Sequence, residues 1–154
     1  MKQKKRPQQK KIQNTRARFD YELKDEVLCG VVLNGRETKA LRLGHGHIRG
    51  AFVNIKDGEL WLNNMFIGGS AGIVIPTEEQ TIPRKLLAKK REIDMLYSAK
   101  QQGNTIVATD VLTKGRFIKV RIAIGRGKKK YDKRQTIKKR EDDIAARREI
   151  KHSY

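Results

Sequence analysis

The stretch IRGAFVNIKDGELWLNN, residues 48–64, decides the fold. Ala51, Val53 and Ile55 alternate with their neighbours, Asp57-Gly58 follows, and Leu60, Leu62 and Asn64 continue the alternation. A period of two turns one side of each run towards a core, and Asp-Gly supplies the left-handed backbone of a two-residue turn. A β-hairpin is expected here. Towards the N-terminus, the valine-rich run Val27 to Leu33 reads as a buried strand that ends at Asn34-Gly35. Arg36 to Leu43 then reads as a short helix closed by Gly44. Towards the C-terminus, residues 68–82 hold three glycines and Pro76 and read as a flexible loop. Pro83 stands where a first helical residue belongs, and Gly103 just past a last one. Leu86, Leu87, Ile93, Leu96 and Tyr97 lie between them at helical spacing, which predicts one helix with a basic outer face. Thr105 to Leu112 and Arg116 to Ile124 are expected strands around Lys114-Gly115. Short antiparallel strands interrupted by helices suit a mainly β fold, an OB-like closed antiparallel β-barrel, better than a parallel sheet.

The chain has 154 residues and a formal net charge of +19, and its charge is uneven. Residues 1–18 carry a net +8 and residues 126–154 a net +7, while the long middle carries only +4. This divides the chain into a basic flexible arm (1–13), a folded body (14–125) and a basic tail (126–154). Basic ends on a balanced body point to a polyanionic partner. No apolar run approaches the ~20 residues that a bilayer span needs, and no apolar stretch follows the basic N-terminus, so neither a membrane nor a secreted protein is expected. The single Cys29 fits a cytoplasmic location.

Sites for catalysis are hard to assemble. His45-Gly46-His47 is the one local histidine pair, too few donors for a metal without a placed carboxylate. Gly125-Arg126-Gly127-Lys128 lacks phosphate-loop spacing, because Lys129 stands where Ser or Thr is required. Cys29 in an apolar strand is a poor nucleophile. No enzyme, cofactor or metal is expected, and a nuclease acting through His45 and His47 is the enzymatic alternative. Features for RNA are better supplied. Arg16, Arg18, Phe19 and Tyr21 mix cations with aromatic rings, on which unpaired bases stack; Phe19 and Tyr21 fit equally well as a plug in one barrel end. Lys128, Lys129, Lys130, Tyr131, Lys133 and Arg134 follow glycines in a segment too polar to bury. No helix-turn-helix or finger points to DNA.

Six motifs in order carry a resemblance: Asn14-Thr-Arg-Ala-Arg-Phe-Asp-Tyr21, Gly35-Arg-Glu-Thr-Lys-Ala-Leu-Arg42 before Gly44, Gly58-Glu-Leu-Trp-Leu-Asn63, Arg84-Lys-Leu-Leu87, Lys90-Arg-Glu-Ile93 and Gly127-Lys-Lys-Lys-Tyr-Asp-Lys-Arg134. Together they resemble small protein B, the tmRNA-binding family of bacterial trans-translation. The resemblance implies an OB-like barrel of about six strands and three helices, with a tail that is disordered alone and helical on the ribosome. It implies that the body binds the tRNA-like domain of tmRNA and travels as a monomer, with elongation factor Tu, to a stalled ribosome. There the tail meets the decoding centre and occupies the empty mRNA channel. By position, Asn14, Tyr21, Phe52, Leu87 and Lys119 fall at the tmRNA surface, joined by Arg16 and Arg18. Gly127, Asp132, Lys133 and Arg134, with Lys128, Lys129 and Tyr131, fall in the tail motif. The chain departs from the family pattern at Leu28, where glutamate is usual, at Phe19 and Phe66, where histidine is usual, and at Gly50-Ala51-Phe52. The alternative that shares the charge map is a general ribosomal or structured-RNA-binding protein on the same barrel.

Overall fold

The computed structural model describes residues 12–152, in which helices interrupt a series of short strands. In order they are β1 (Ile12–Gln13), α1 (Thr15–Asp20), β2 (Tyr21–Val31), α2 (Gly35–Arg42), β3 (Gly46–His47), β4 (Phe52–Lys56) and β5 (Glu59–Asn63). There follow β6 (Phe66–Ile67), a 3-10 turn (Thr77–Glu79), β7 (Arg84–Leu87), α3 (Lys90–Gln101), β8 (Thr105–Leu112), β9 (Lys119–Gly127) and α4 (Lys130–His152). The chain is thus mainly β with four α-helices among the described residues.

The hairpin forms as expected. β4 and β5 pair from Phe52↔Asn63 to Lys56↔Glu59, and Asp57 and Gly58 have φ of 52° and 72°. Two positive φ values make the turn whose twist matches that of the flanking strands. From this hairpin the sheet extends both ways: β4 pairs with β8, and β5 with β7. β7 then pairs with β2, β2 with β9, and β9 with β8. These six antiparallel strands close into a hydrogen-bonded ring, which leaves no edge around its circumference. Val53, Leu60, Leu62, Leu86, Ile106, Val120 and Ile122 fill its interior. α2 is capped at its start: the Asn34 side chain accepts the Glu37 N–H, and Glu37 accepts the Asn34 N–H in return. Gly44, at φ +82°, follows its end.

Three expectations are corrected. Arg84 to Leu87 is a strand and not the start of the helix, which begins only at Lys90. Leu86 points inward and Leu87 outward, and the open sides of β2 and β5 supply ladder partners, so tertiary pairing overrides the helical spacing. Residues 27–33 are not buried on both faces: Val27 and Cys29 are, whereas Leu28 and Val32 are exposed. The 68–82 loop is irregular but anchored. Ile73 and Ile75 enter the core, and the Arg84 guanidinium donates to the carbonyls of Met65, Glu79, Gln80 and Ile82. Arg84 is itself paired with Glu37 in the interior. At the ends, Ile12 and Gln13, assigned to the arm, pair with Val111 and Asp110, while the rest of the arm lies outside the described residues. β9 runs through Gly127, so Arg126 and Gly127 belong to the body. Beyond it, the chain from Lys130 to His152 forms α4. Its alanines, lysines, arginines and glutamates favour helix, and its first turns find partners on α1, as described below.

Candidate nucleic-acid interface

The expected RNA-binding residues separate into two patches near opposite ends of β2. Tyr21 and Gly30 lie nine residues apart on it, about 30 Å for extended chain.

The first patch is built on α1. Asn14 caps this helix, accepting the Ala17 N–H at 3.1 Å and donating to the carbonyls of Ile48 and Ala108 at 3.0 Å each. Its amide is buried and engaged by these protein partners. Arg16, Tyr21 and Phe52 line a depression of about 210 Å³ above it. Arg16 is exposed, pairs with Asp20 at 3.1 Å, and lies 5.2 Å from the Phe19 ring centroid. Arg18 leaves this depression: its guanidinium reaches Asp110 at 3.4 Å.

Asp110 is a residue that sequence reasoning missed. Its buried carboxylate also accepts from Arg121 at 3.2 Å, from Gln13 at 3.2 Å and from the Thr109 hydroxyl at 3.2 Å. It thereby ties α1, β1 and β9 together. The only signal available was one acid inside an otherwise uncharged strand, TIVATDVL.

The second patch is the outward face of β7, β2 and β9. Leu87 and Lys119 both register with Gly30, so a leucine and a lysine flank a glycine in one row. Leu28, where the family pattern has glutamate, is exposed on the same face of β2 and opposite Arg121. Gly30, Leu33, Leu87, Phe117 and Lys119 line a trough of about 420 Å³.

The start of the tail is docked on α1. The Lys128 backbone N–H donates to the Asp20 carbonyl at 2.9 Å, and its Nζ to the Arg18 carbonyl at 3.4 Å and Thr136 Oγ1 at 3.2 Å. Lys133 pairs with Asp20 at 3.4 Å, and the Arg140 guanidinium lies 5.8 Å from the Phe19 ring that Arg16 also covers. Gly127 pairs with Tyr21 in the β2–β9 ladder, and Lys129 and Arg134 are exposed. The side chains of Tyr131 and Asp132 lie outside the described residues.

The remaining candidates do no comparable work. His47 stacks on Phe66 at 5.0 Å, and among the described residues no three His, Cys, Asp or Glu side chains group as metal ligands. Burial, and secondarily the charge of Glu92, pushes the Cys29 thiol up to about 12.

Comparison with known proteins decides the family. Residues 11–152 match the family model of the SmpB protein. The chain belongs to the SmpB family. An SsrA-binding protein of Acidiphilium cryptum is 44% identical over 131 residues, covering 84% of this chain and 82% of that one. Another, from Streptococcus suis, is 41% identical over 140 residues and covers 90% of each. Among solved structures, a chain from "tmRNA-SmpB: a journey to the center of the bacterial ribosome" matches with a TM-score of 0.59 and 33% identity. That match covers 78% of this chain and 85% of the other. The SmpB family match takes in both patches and α4, so surface and tail belong to one family unit.

Proposed function

We propose that this chain is a non-enzymatic RNA-binding cofactor of trans-translation, which binds the tRNA-like domain of tmRNA and brings it to stalled ribosomes. The observation that carries this reading is the match to SsrA-binding proteins over most of the chain, with identities of 44% and 41%. The two patches give it a physical basis. Arg16, Tyr21 and Phe52 offer a cation and aromatic rings around a depression, while Leu87 and Lys119 offer an apolar shelf beside a cation. Such surfaces take phosphates and splayed bases, and a net charge of +19 draws the RNA in. The six-strand ring is read as an OB-like barrel that spaces the two patches rigidly.

The tail has a separate task. Its exposed Lys129 and Arg134, and the motif from Gly127 to Arg134, face the ribosome at the decoding centre, and α4 occupies the mRNA channel when no message fills it. Arrival with elongation factor Tu follows from the tmRNA complex and requires no surface on this chain. The protein works in the cytoplasm as a monomer.

The test is a purified translation system in which ribosomes are stalled at the end of a truncated message, with alanylated tmRNA and elongation factor Tu supplied. Addition of the tag-encoded peptide is expected only when this protein is present. Equal tagging without it would overturn the reading.

A further inference from the structure

We infer that Phe117 is a stacking platform for one unpaired base of the RNA partner, seated over the Gly30–Leu87 trough with its phosphate held by Lys119 and Arg116. The inference deepens the tmRNA reading and rests on it for the identity of the RNA. Phe117 is 68% exposed, the most exposed aromatic side chain among the described residues, although the next residue, Ile118, is buried. Its ring is therefore open to a planar ligand.

The ring is not exposed through looseness. The Arg42 guanidinium donates to the carbonyls of Thr113, Gly115 and Arg116, each at 3.0 Å, and so fixes the turn between β8 and β9 that carries Phe117. Three charge-assisted hydrogen bonds hold the backbone that carries the ring, which reduces the ordering cost of the turn on binding. The Arg116 guanidinium lies over the ring, 5.5 Å from its centroid, so a cation covers one face and the other is left for a base. The adjoining trough of about 420 Å³ is lined by Leu87, Gly30, Ile118 and Lys119, and no carboxylate lines it.

Charge selects the occupant. A lysine and an arginine with no acid between them favour a ligand that joins a flat apolar face to a negative group. A nucleotide has that composition, and aromatic rings between cations are the common means of holding bases without reading their sequence. A purely apolar peptide would leave both cations without a counter-charge.

The experiment uses the full chain, the isolated tRNA-like domain of cognate tmRNA as probe, and the variants Phe117→Leu and Phe117→Trp in a Trp61→Phe background. Stacking on a base contributes about 1–3 kcal/mol, so Phe117→Leu is expected to weaken binding roughly five- to 150-fold with an unchanged melting temperature. Phe117→Trp is expected to bind within about twofold of its background, and its fluorescence to be quenched on saturation, as base stacking requires. Leucine binding as tightly as phenylalanine, or tryptophan remaining unquenched in a saturated complex, overturns the inference while leaving the tmRNA reading intact. Titration with single-stranded oligoadenylate separates the two claims. If tmRNA selectivity fails but oligoadenylate still quenches Phe117→Trp, base stacking stands and the tmRNA reading falls; quenching by neither RNA overturns the inference.

Discussion

Replacing Glu37 with glutamine is expected to destabilise the fold far more than its single-atom change suggests. The Glu37 side chain is 9% exposed and that of its partner Arg84 2%. Arg84 also donates to four carbonyls, at 2.7 to 3.2 Å, that belong to Met65, Glu79, Gln80 and Ile82. The two Glu37 oxygens receive different donors, one from the Asn34 N–H and one from Arg84 Nε. A glutamine amide has only one acceptor oxygen, so either orientation turns an N–H towards another donor and leaves the guanidinium charge uncompensated. Removing one member of a buried pair costs about 3–5 kcal/mol. For a chain of this size, that lowers the melting temperature by about 6–20 °C, taking about 2–4 °C for each kcal/mol. Urea unfolding followed through Trp61 fluorescence measures the change directly. A loss below ~1 kcal/mol, the scale of an exposed pair, would refute the view that this pair anchors the 68–82 loop and the start of β7.

Removing 130–154 is expected to leave tmRNA affinity within about tenfold, ~1.4 kcal/mol, and to abolish tagging on stalled ribosomes; gel-shift and tagging assays on one preparation separate these activities. Asp110→Asn removes a negative charge, so loose binding to a random polyanion is expected to rise slightly, while selective tmRNA binding falls because Arg18 and Arg121 lose their shared anchor. Parallel gains in both would show that Asp110 merely repels RNA. The Cys29 thiol titrates near 12 when folded and near its ordinary value when unfolded, so the unfolded state loses its proton first as pH rises. Its stability contribution is therefore full below about pH 8.5 and declines from there towards pH 12, as denaturant melts across that range test. At pH 8, labelling by a thiol reagent is expected only upon unfolding.

Local rules made the hairpin and α2 legible, because Asp57-Gly58 forms the turn and Gly44 follows the helix whose Ala40 and Leu41 are buried. β8 and β9 were legible from alternation at Val120, Ile122 and Ile124. β7 was not, because Leu86 and Leu87 fit a helix that Ile93 and Leu96 continue; only the unpaired sides of β2 and β5, distant in sequence, make them a strand. α1 was missed although Asn14 is a good capping residue, since six residues give too little periodicity to register. Where the motif residues sit in the fold was not legible from their spacing. Asn14 is buried and caps α1, Arg18 is held by Asp110, and Leu87 faces solvent because the strand alternates there. Phe117 read as one more apolar residue of a strand, and the bonds from Arg42 that present it cross more than seventy positions in sequence.

The measurement that bears most directly on the central claim is competition binding of the full chain to its cognate tmRNA, with total tRNA as competitor at near-physiological salt. Phosphate neutralisation alone discriminates little between folded RNAs and weakens steeply with salt. The account predicts tight tmRNA binding that excess tRNA fails to displace. Equal displacement by tRNA would contradict it and leave a general structured-RNA-binding protein, with Leu28 in the glutamate position as the first departure to reverse.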